Sequence, residues 1–252
     1  MEITSVNNEL VKETVKLQQK KYRNQSGKFL LEGYKAIKEA FYFGIKIEHI
    51  FVEKSKINDY NFAKNLIIET TEPVLKKLST TESAPVAIAV GYQKNYDKNI
   101  LKNCKKVLLL ENIKDAGNLG TIVRSSVAFG ADAIVLFGES VDIYNPKCVR
   151  STVGNLWKIP IFHIEKFEEL EEIFDGFERI ATLPKSKNLL KKYKLNSAKT
   201  VVMFGSEADG LSENLIKFST NSIKIEMKNT VESLNLATSV SVILYELFVE
   251  NI

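Results

Sequence analysis

The sequence predicts two successive α/β domains, the second built on a parallel sheet. Three observations predict it. Short apolar runs of strand length alternate with helix-patterned stretches along the chain. A single polar stretch, Gln93 to Lys105, interrupts that alternation. Beyond it, three polar segments each follow an apolar run, which is where open parallel sheets place their ligands.

In the first domain, Asn7 or Ser5 can cap a helix running to about Gln19, with Leu10, Val11, Val15 and Leu17 as its apolar side. A strand at Phe29 to Glu32 follows, then a helix from Tyr34 that Gly44 can end, then a strand at Ile47 to Glu53. Leu66 to Glu69 reads as a strand, Glu72 to Leu78 as a helix capped by Thr71, and Val86 to Tyr92 as a strand. Gln93 to Lys105 has little periodicity and reads as the linker, giving domains of 1–95 and 106–252 with residues 96–105 between them. The alternation restarts with a strand at Val107 to Glu111, a helix from about Leu119 to Phe129 and a strand at Ala133 to Phe137, the opening of a βαβ arrangement. Further strands are expected at Ile159 to Ile164, Arg179 to Leu183, Val201 to Phe204 and Ser222 to Glu226, and a last helix from Ser233 to about Glu250. Lys185 to Lys199 holds six lysines and should be exposed.

A chain of 252 residues with 44% hydrophobic content is ordinary for a folded protein with a sizeable core. No stretch approaches the roughly 18 apolar residues that span a bilayer, and the first residues lack a signal pattern, so a cytoplasmic protein without membrane contact is expected. Cys104 and Cys148 have no partners at metal-ligand spacing, so they read as buried thiols and no metal site is expected. The net charge of +4 is mild, but its distribution is uneven. Residues 1–105 carry 18 Lys+Arg against 12 Asp+Glu, and residues 106–252 carry 17 against 19. The densest basic run, Lys12, Lys16, Lys20, Lys21, Arg23 and Lys28, can track an RNA backbone by displacing counterions; the alternative is a solvated helix face.

The first polar segment runs from Asn112 to Arg124, with Asn118 set to cap a helix and Arg124 in its second turn. The two can meet at one site. An arginine on such a helix needs either an acid, Asp115 or Glu207, or a phosphate. The second segment, Gly205 to Leu211, has glycines that permit close backbone approach and two acids that would repel a polyphosphate, so a cationic or electron-poor ligand fits it. A turn closed by its own carboxylates is the other reading. In the third, Ile225 to Thr238, Ser233 can cap the last helix with Asn235 in its first turn.

In this order the three segments resemble the signatures of the SpoU family of knotted methyltransferases, also called the TrmH family. The resemblance rests on N-x5-N-x-G-x3-R in Asn112 to Arg124, G-x-E-x-x-G-L in Gly205 to Leu211, and S-L-N in Ser233 to Asn235, and it covers roughly residues 106–252. Residues 3–40 are similar to the RNA substrate-binding domain that precedes the catalytic domain in two-domain members. The resemblance implies a parallel-sheet α/β domain with a SPOUT-like trefoil knot, an exception to the rule that chains avoid threading. It implies an S-adenosylmethionine-dependent RNA 2′-O-ribose methyltransferase acting on ribosomal RNA, the 23S molecule in particular, and a homodimer formed through the knot domain. Family residues at the chemistry match Asn118, Arg124, Glu207, Ser233 and Asn235, and those whose backbone holds the cofactor match Gly205, Ile225 and Leu234. The chain departs from the family at Ser125-Ser126, where Thr-Ala is common, at Ala208, a usual glycine position, and at Glu226, where proline would fix φ.

A ribose hydroxyl is a poor nucleophile until its proton is removed or strongly hydrogen-bonded. A guanidinium is a poor proton acceptor at neutral pH, so Arg124 is assigned to binding phosphate and polarising the hydroxyl, with Glu207 and the RNA phosphate as rival acceptors. The alternative functions are a catalytically silent RNA-binding assembly factor, which the complete set of five residues argues against, and a transfer-RNA 2′-O-methyltransferase. No G-x-G-x-x-G follows a strand, which argues against a dinucleotide-dependent dehydrogenase.

Overall fold

The computed structural model describes residues 1–228, 230 and 232–249; Asn229 and Val231 of the third segment, and Glu250 at the expected end of the last helix, lie outside the described residues. The chain divides into two compact units, Met1–Asn95 with Asp142–Trp157, and Tyr96–Val141 with Lys158–Ile252.

In the first unit, strands β1 (Glu2–Ile3), β2 (Lys28–Glu32), β3 (Ile47–Glu53), β4 (Ile67–Thr70) and β5 (Ala87–Tyr92) form a mixed sheet in the order β1-β4-β3-β5-β2. β1, β4 and β3 are parallel, whereas β5 pairs antiparallel with β3 and β2, placing Leu30 opposite Val90. Successive strand residues point to opposite faces. Leu30, Phe51, Ile88 and Val90 therefore pack with Val11 of the helix α1 (Glu9–Lys16), with Leu17 just past its end, and with Val74, Leu75 and Leu78 of the helix α4 (Glu72–Leu78). Phe29 and Leu31 face the other way and are also fully buried, and the helix α3 (Tyr34–Tyr42) follows β2.

Residues 142–157, read from the sequence as part of the second domain, belong to this unit. Their side chains explain why. Phe29 is fully buried, with the rings of Tyr144 and Trp157 at 4.8 and 5.4 Å. Arg150 donates to the buried Glu32 at 2.8 Å and to Thr80 at 2.6 Å.

The same segment corrects one expectation about RNA binding. Arg23, grouped by sequence with the lysines, is only 1% exposed. Its Nε and Nη2 lie 2.8 and 2.7 Å from Asp142 Oδ2, and its Nη1 donates to the Leu17 and Gln18 carbonyls at 2.9 Å. A buried guanidinium persists only when paired and hydrogen-bonded, so Arg23 is a structural group that cannot face a phosphate. It sits on α2 (Lys20–Ser26), a short polar helix without apolar period that the sequence reading did not anticipate. The first helix stops at Lys16, not Gln19, because the chain tightens there, with Leu17 N bonding Thr14 O, and Gln18 Nε2 reaches the carbonyls of Lys77, Leu78 and Ser79. Lys20 and Lys21 are exposed, and Lys12 and Lys16 form surface pairs with Glu9 and Glu13 at 2.9 and 2.6 Å. Such exposed, solvent-screened pairs are weak and can be exchanged for a phosphate.

The second unit is a six-stranded parallel sheet of β6 (Lys106–Glu111), β7 (Ala133–Phe137), β8 (Ile161–Ile164), β9 (Glu178–Thr182), β10 (Thr200–Phe204) and β11 (Asn221–Ile223), in the order β11-β9-β10-β6-β7-β8. The central β6 and β10 are buried on both faces, which accounts for their unbroken apolar runs. One face packs on α7 (Phe167–Ile173) and α8 (Glu213–Phe218) through Leu170 and Leu215. Residues 96–105, expected to be a linker, add Leu101 and Cys104 to this core, while Lys98 and Lys102 reach Glu169 and Glu172 on α7. α5 (Ala116–Ala128) and α9 (Leu236–Phe248) lie together, joined by Ser125 Oγ and Ser241 Oγ at 2.7 Å.

From β6 the chain steps outward through β7 to β8, then resumes on the other side with β9, β10 and β11. The strand order reverses between β6 and β10. In open parallel sheets the crevice at the C-terminal ends of such a pair is the ligand site. Among the described residues no helix is long and apolar enough to cross a membrane.

Candidate active site

The loop after β6 begins at Asn112, whose φ of 55° turns the chain out of the sheet. Its side-chain oxygen accepts the Glu139 amide at 2.8 Å and occupies the space a Cβ at Gly138 would need, 2.4 Å away. The helix after this loop starts at Ala116, earlier than the expected Leu119, because Asp115 and not Asn118 caps it: Asp115 Oδ1 accepts the Asn118 amide at 2.7 Å. Asp115 is a residue sequence reasoning missed in this role; its signal was an N-cap type ahead of a small-residue turn. Relieved of capping, the Asn118 side chain turns outward, and Arg124 falls in the third turn of α5.

The second loop leaves β10 at Gly205, and the glycine is required there. A Cβ would stand 1.9 Å from the Gly210 carbonyl carbon and 2.2 Å from Leu211 N. The loop folds back on itself, with Gly210 at φ 70°, the Gly210 amide on Ser206 O at 3.1 Å and the Asp209 amide on Ser206 Oγ at 3.0 Å. The Asp209 carboxylate also accepts from Ser206 Oγ at 3.3 Å, so one of the segment's own carboxylates closes the turn. Glu207 does not take part and is exposed at the loop tip.

The third loop follows β11, which ends at Ile223 and not Glu226, so Ile225 and Glu226 lie in the loop. Asn235, expected in the first turn of α9, is its cap: Oδ1 accepts the amides of Ala237 and Thr238 at 2.9 and 3.3 Å. Ser233, the expected cap, is exposed ahead of the helix.

One chain of hydrogen bonds joins all three loops. Because Asn235 Oδ1 caps α9, its Nδ2 points away and donates to Asn118 Oδ1 at 3.0 Å. Asn118 Nδ2 must then donate elsewhere, and it meets Glu207 Oε1 at 2.6 Å. Each amide orientation follows from the one before it, so the helix end fixes a carboxylate on another loop. Arg124 and Ser233 are not part of this chain. Arg124 is exposed, six residues along α5 from Asn118, hence about 9 Å up the axis and a third of a turn around it. Among the described residues its guanidinium has no ion-pair or hydrogen-bond partner, neither Asp115 nor Glu207. A cation presented this way is suited to a phosphate supplied from outside.

The loops also suit a cofactor with an apolar ring and a charged amino-acid end. Ile225 and Leu234 are half-buried apolar side chains. No hydrogen bond joins the backbone groups of residues 225–228 and 232–234 to any other described residue, leaving donors and acceptors at a sheet crevice. Among the described residues no group of His, Cys, Asp and Glu could hold a metal ion.

Residues 105–245 match the model of the SpoU rRNA Methylase family, and residues 8–89 match the MRM3-like substrate binding domain. The chain belongs to the SpoU rRNA methylase family. Among its SpoU relatives, an uncharacterized tRNA/rRNA methyltransferase of Synechocystis is 32% identical over 97% of this chain and 92% of that protein. The 23S rRNA (guanosine(2553)-2′-O)-methyltransferase RlmP of Bacillus subtilis is 27% identical over 98% of each chain. The crystal structure of an AdoMet-bound rRNA methyltransferase from Sinorhizobium meliloti is similar with a TM-score of 0.87 and 26% identity, covering 98% of this chain and 96% of that one. This SpoU-family chain is an S-adenosylmethionine-dependent RNA methyltransferase with a substrate-binding domain ahead of its catalytic one.

Proposed function

We propose that this enzyme methylates a ribose 2′-hydroxyl of ribosomal RNA, in the cytoplasm and as a homodimer. The observation that carries the reading is the Asn235–Asn118–Glu207 chain, which brings the three loops to one point at the sheet's reversal. Gly205, Ile225 and Leu234 belong to the loops that would hold S-adenosylmethionine, whose sulfonium supplies an electrophilic methyl group. Asn118 holds Glu207 through Oε1, leaving the second carboxylate oxygen to accept a hydrogen bond or proton from the ribose hydroxyl. Arg124 binds the adjacent phosphate and polarises the hydroxyl, and Ser233 stands at the loop edge as a further hydrogen-bonding group. Lys12, Lys16, Lys20 and Lys21 grip the RNA through its phosphates. Exposed Val242 and Tyr245 on α9, with Phe129 of α5 edge-on to Tyr245 at 5.6 Å, support a dimer face on the catalytic unit.

Titration calorimetry with S-adenosylmethionine separates this enzyme from a silent assembly factor, which need not bind it. Leu234→Trp should abolish that binding in a folded protein. Mapping 2′-O-methyl positions in total RNA from a strain lacking the protein then identifies the substrate; a loss confined to transfer RNA would overturn the ribosomal assignment. Replacing Lys12, Lys16, Lys20 and Lys21 by glutamine should weaken RNA binding and flatten its log-log salt slope by about 0.7–0.9 per lost phosphate contact, without changing cofactor affinity. An unaltered slope would mean the run is only a solvated surface.

A further inference from the structure

The first unit carries a second surface that the lysine run does not use. It is formed by α3 and the 3-10 turn Lys54–Leu66. Phe62 lies at its centre, with the rings of Tyr34, Phe41, Tyr42 and Tyr60 around it at 5.2 to 6.3 Å. Tyr60 is buried and forms the floor, whereas Tyr34 and Tyr42 are 39% and 66% exposed. Contiguous rings left open to solvent mark an interaction surface, since folding alone would cover them.

The charges around the rings indicate the partner. The two segments 34–46 and 54–66 carry Lys35, Lys38, Lys46, Lys54, Lys56 and Lys64 against only Glu39 and Asp59. Lys54 is engaged with Glu69 at 3.0 Å and Lys46 lies over the Tyr92 ring, but Lys35, Lys56 and Lys64 are exposed and Lys38 lies 5.3 Å over the Tyr34 ring. Aromatic rings in segments rich in lysine complement the bases and phosphates of a single strand. A duplex hides its base faces within the stack and has none to offer.

We propose that Tyr34, Tyr42 and Phe62 form a stacking platform for unpaired bases of the substrate RNA, flanked by lysines that hold its phosphates. The proposal rests on the reading that the first unit binds RNA, and adds that it selects unpaired nucleotides.

The test uses the full chain and fluorescence anisotropy with a labelled oligouridylate of about ten nucleotides, beside a blunt RNA duplex of the same length. The single strand should bind more tightly than the duplex. Tyr34→Ala with Tyr42→Ala should weaken single-strand binding about tenfold or more with an unchanged salt slope, because a stacking contact and no phosphate contact is removed. In the Tyr34→Ala background, Tyr42→Trp should bind the single strand more tightly than Tyr42→Ala and show quenched fluorescence on binding, an outcome that misfolding would not give. Wild-type affinity in the double alanine variant would overturn the platform while leaving the lysine grip intact, provided the glutamine variant still binds weakly. Binding to neither probe by the wild type would overturn both. A change in sedimentation of the double variant without a change in RNA affinity would assign the rings to a protein contact and defeat the proposal.

Discussion

Two helix caps set the hydrogen bonds of the candidate active site. Asp115, by capping α5, frees Asn118 to hold Glu207, and Asn235, by capping α9, fixes Asn118. Arg124 contacts none of these groups, so its removal should leave them in place. Arg124→Ala should lower turnover about 10²- to 10³-fold, the scale of one lost transition-state donor, with cofactor affinity within a few-fold of wild type. Loss of cofactor binding in a folded variant would mean that Arg124 serves the cofactor and not the RNA. Ser126 offers a prediction of the opposite sign. Its hydroxyl is fully buried in α5 without a hydrogen-bond partner among the described residues, at a position where the family resemblance favours alanine. Ser126→Ala removes an unsatisfied polar group and should raise stability by about 1 kcal/mol, read as a higher midpoint in denaturant. A lower midpoint would show that the hydroxyl has a partner in solution. The identities of these residues were legible from motif spacing; their bonds were not, because both asparagines are equally good caps on paper.

The loop from Gly205 to Leu211 is the element whose conformation depends most on one atom. Gly205 and Gly210 lie too close for any side chain at the first position. Gly205→Ala should therefore cost about 2–3 kcal/mol, an overpacking penalty that the backbone of Gly210 cannot relieve by changing rotamer. The displaced loop would also carry Glu207 away from Asn118, so methyl transfer should fall more than stability alone explains. Measuring turnover well below the melting midpoint separates the two effects; a variant of wild-type stability and activity would show the loop to be adaptable. The strands were legible because burial on one or both faces writes a local pattern, and β3, β6 and β7 fall within one residue of their expected bounds. The short α2 was not, since its polar residues KKYRNQS have no apolar stripe and its one buried side chain is an arginine.

At the scale of the whole molecule, the chain passes between its two units more than once, since Asp142–Trp157 returns to the first unit from within the second. The first unit should therefore be incomplete when expressed as residues 1–95. Asp142→Ala tests this in the full chain. It leaves the buried Arg23 with two carbonyls but no counter-charge, and should destabilise the first unit by about 3 kcal/mol. Hydrogen exchange would localise the loss to that unit, and a global or negligible change would refute the role assigned to the pair. The sequence alone determined the alternation of strands and helices, the parallel second sheet, the three loops at the C-terminal ends of its strands and the residue types found there. Each of these depends on local periodicity or on a motif a few residues long. Only the tertiary structure decided that Arg23 is buried, that 142–157 completes the first unit, and that Asn118 joins Glu207 to Asn235. Those contacts span 119, 89 and 117 residues of sequence. Hydrogen-bonding capacity is a property of the residue, but the partner is chosen by which strand ends the sheet brings together.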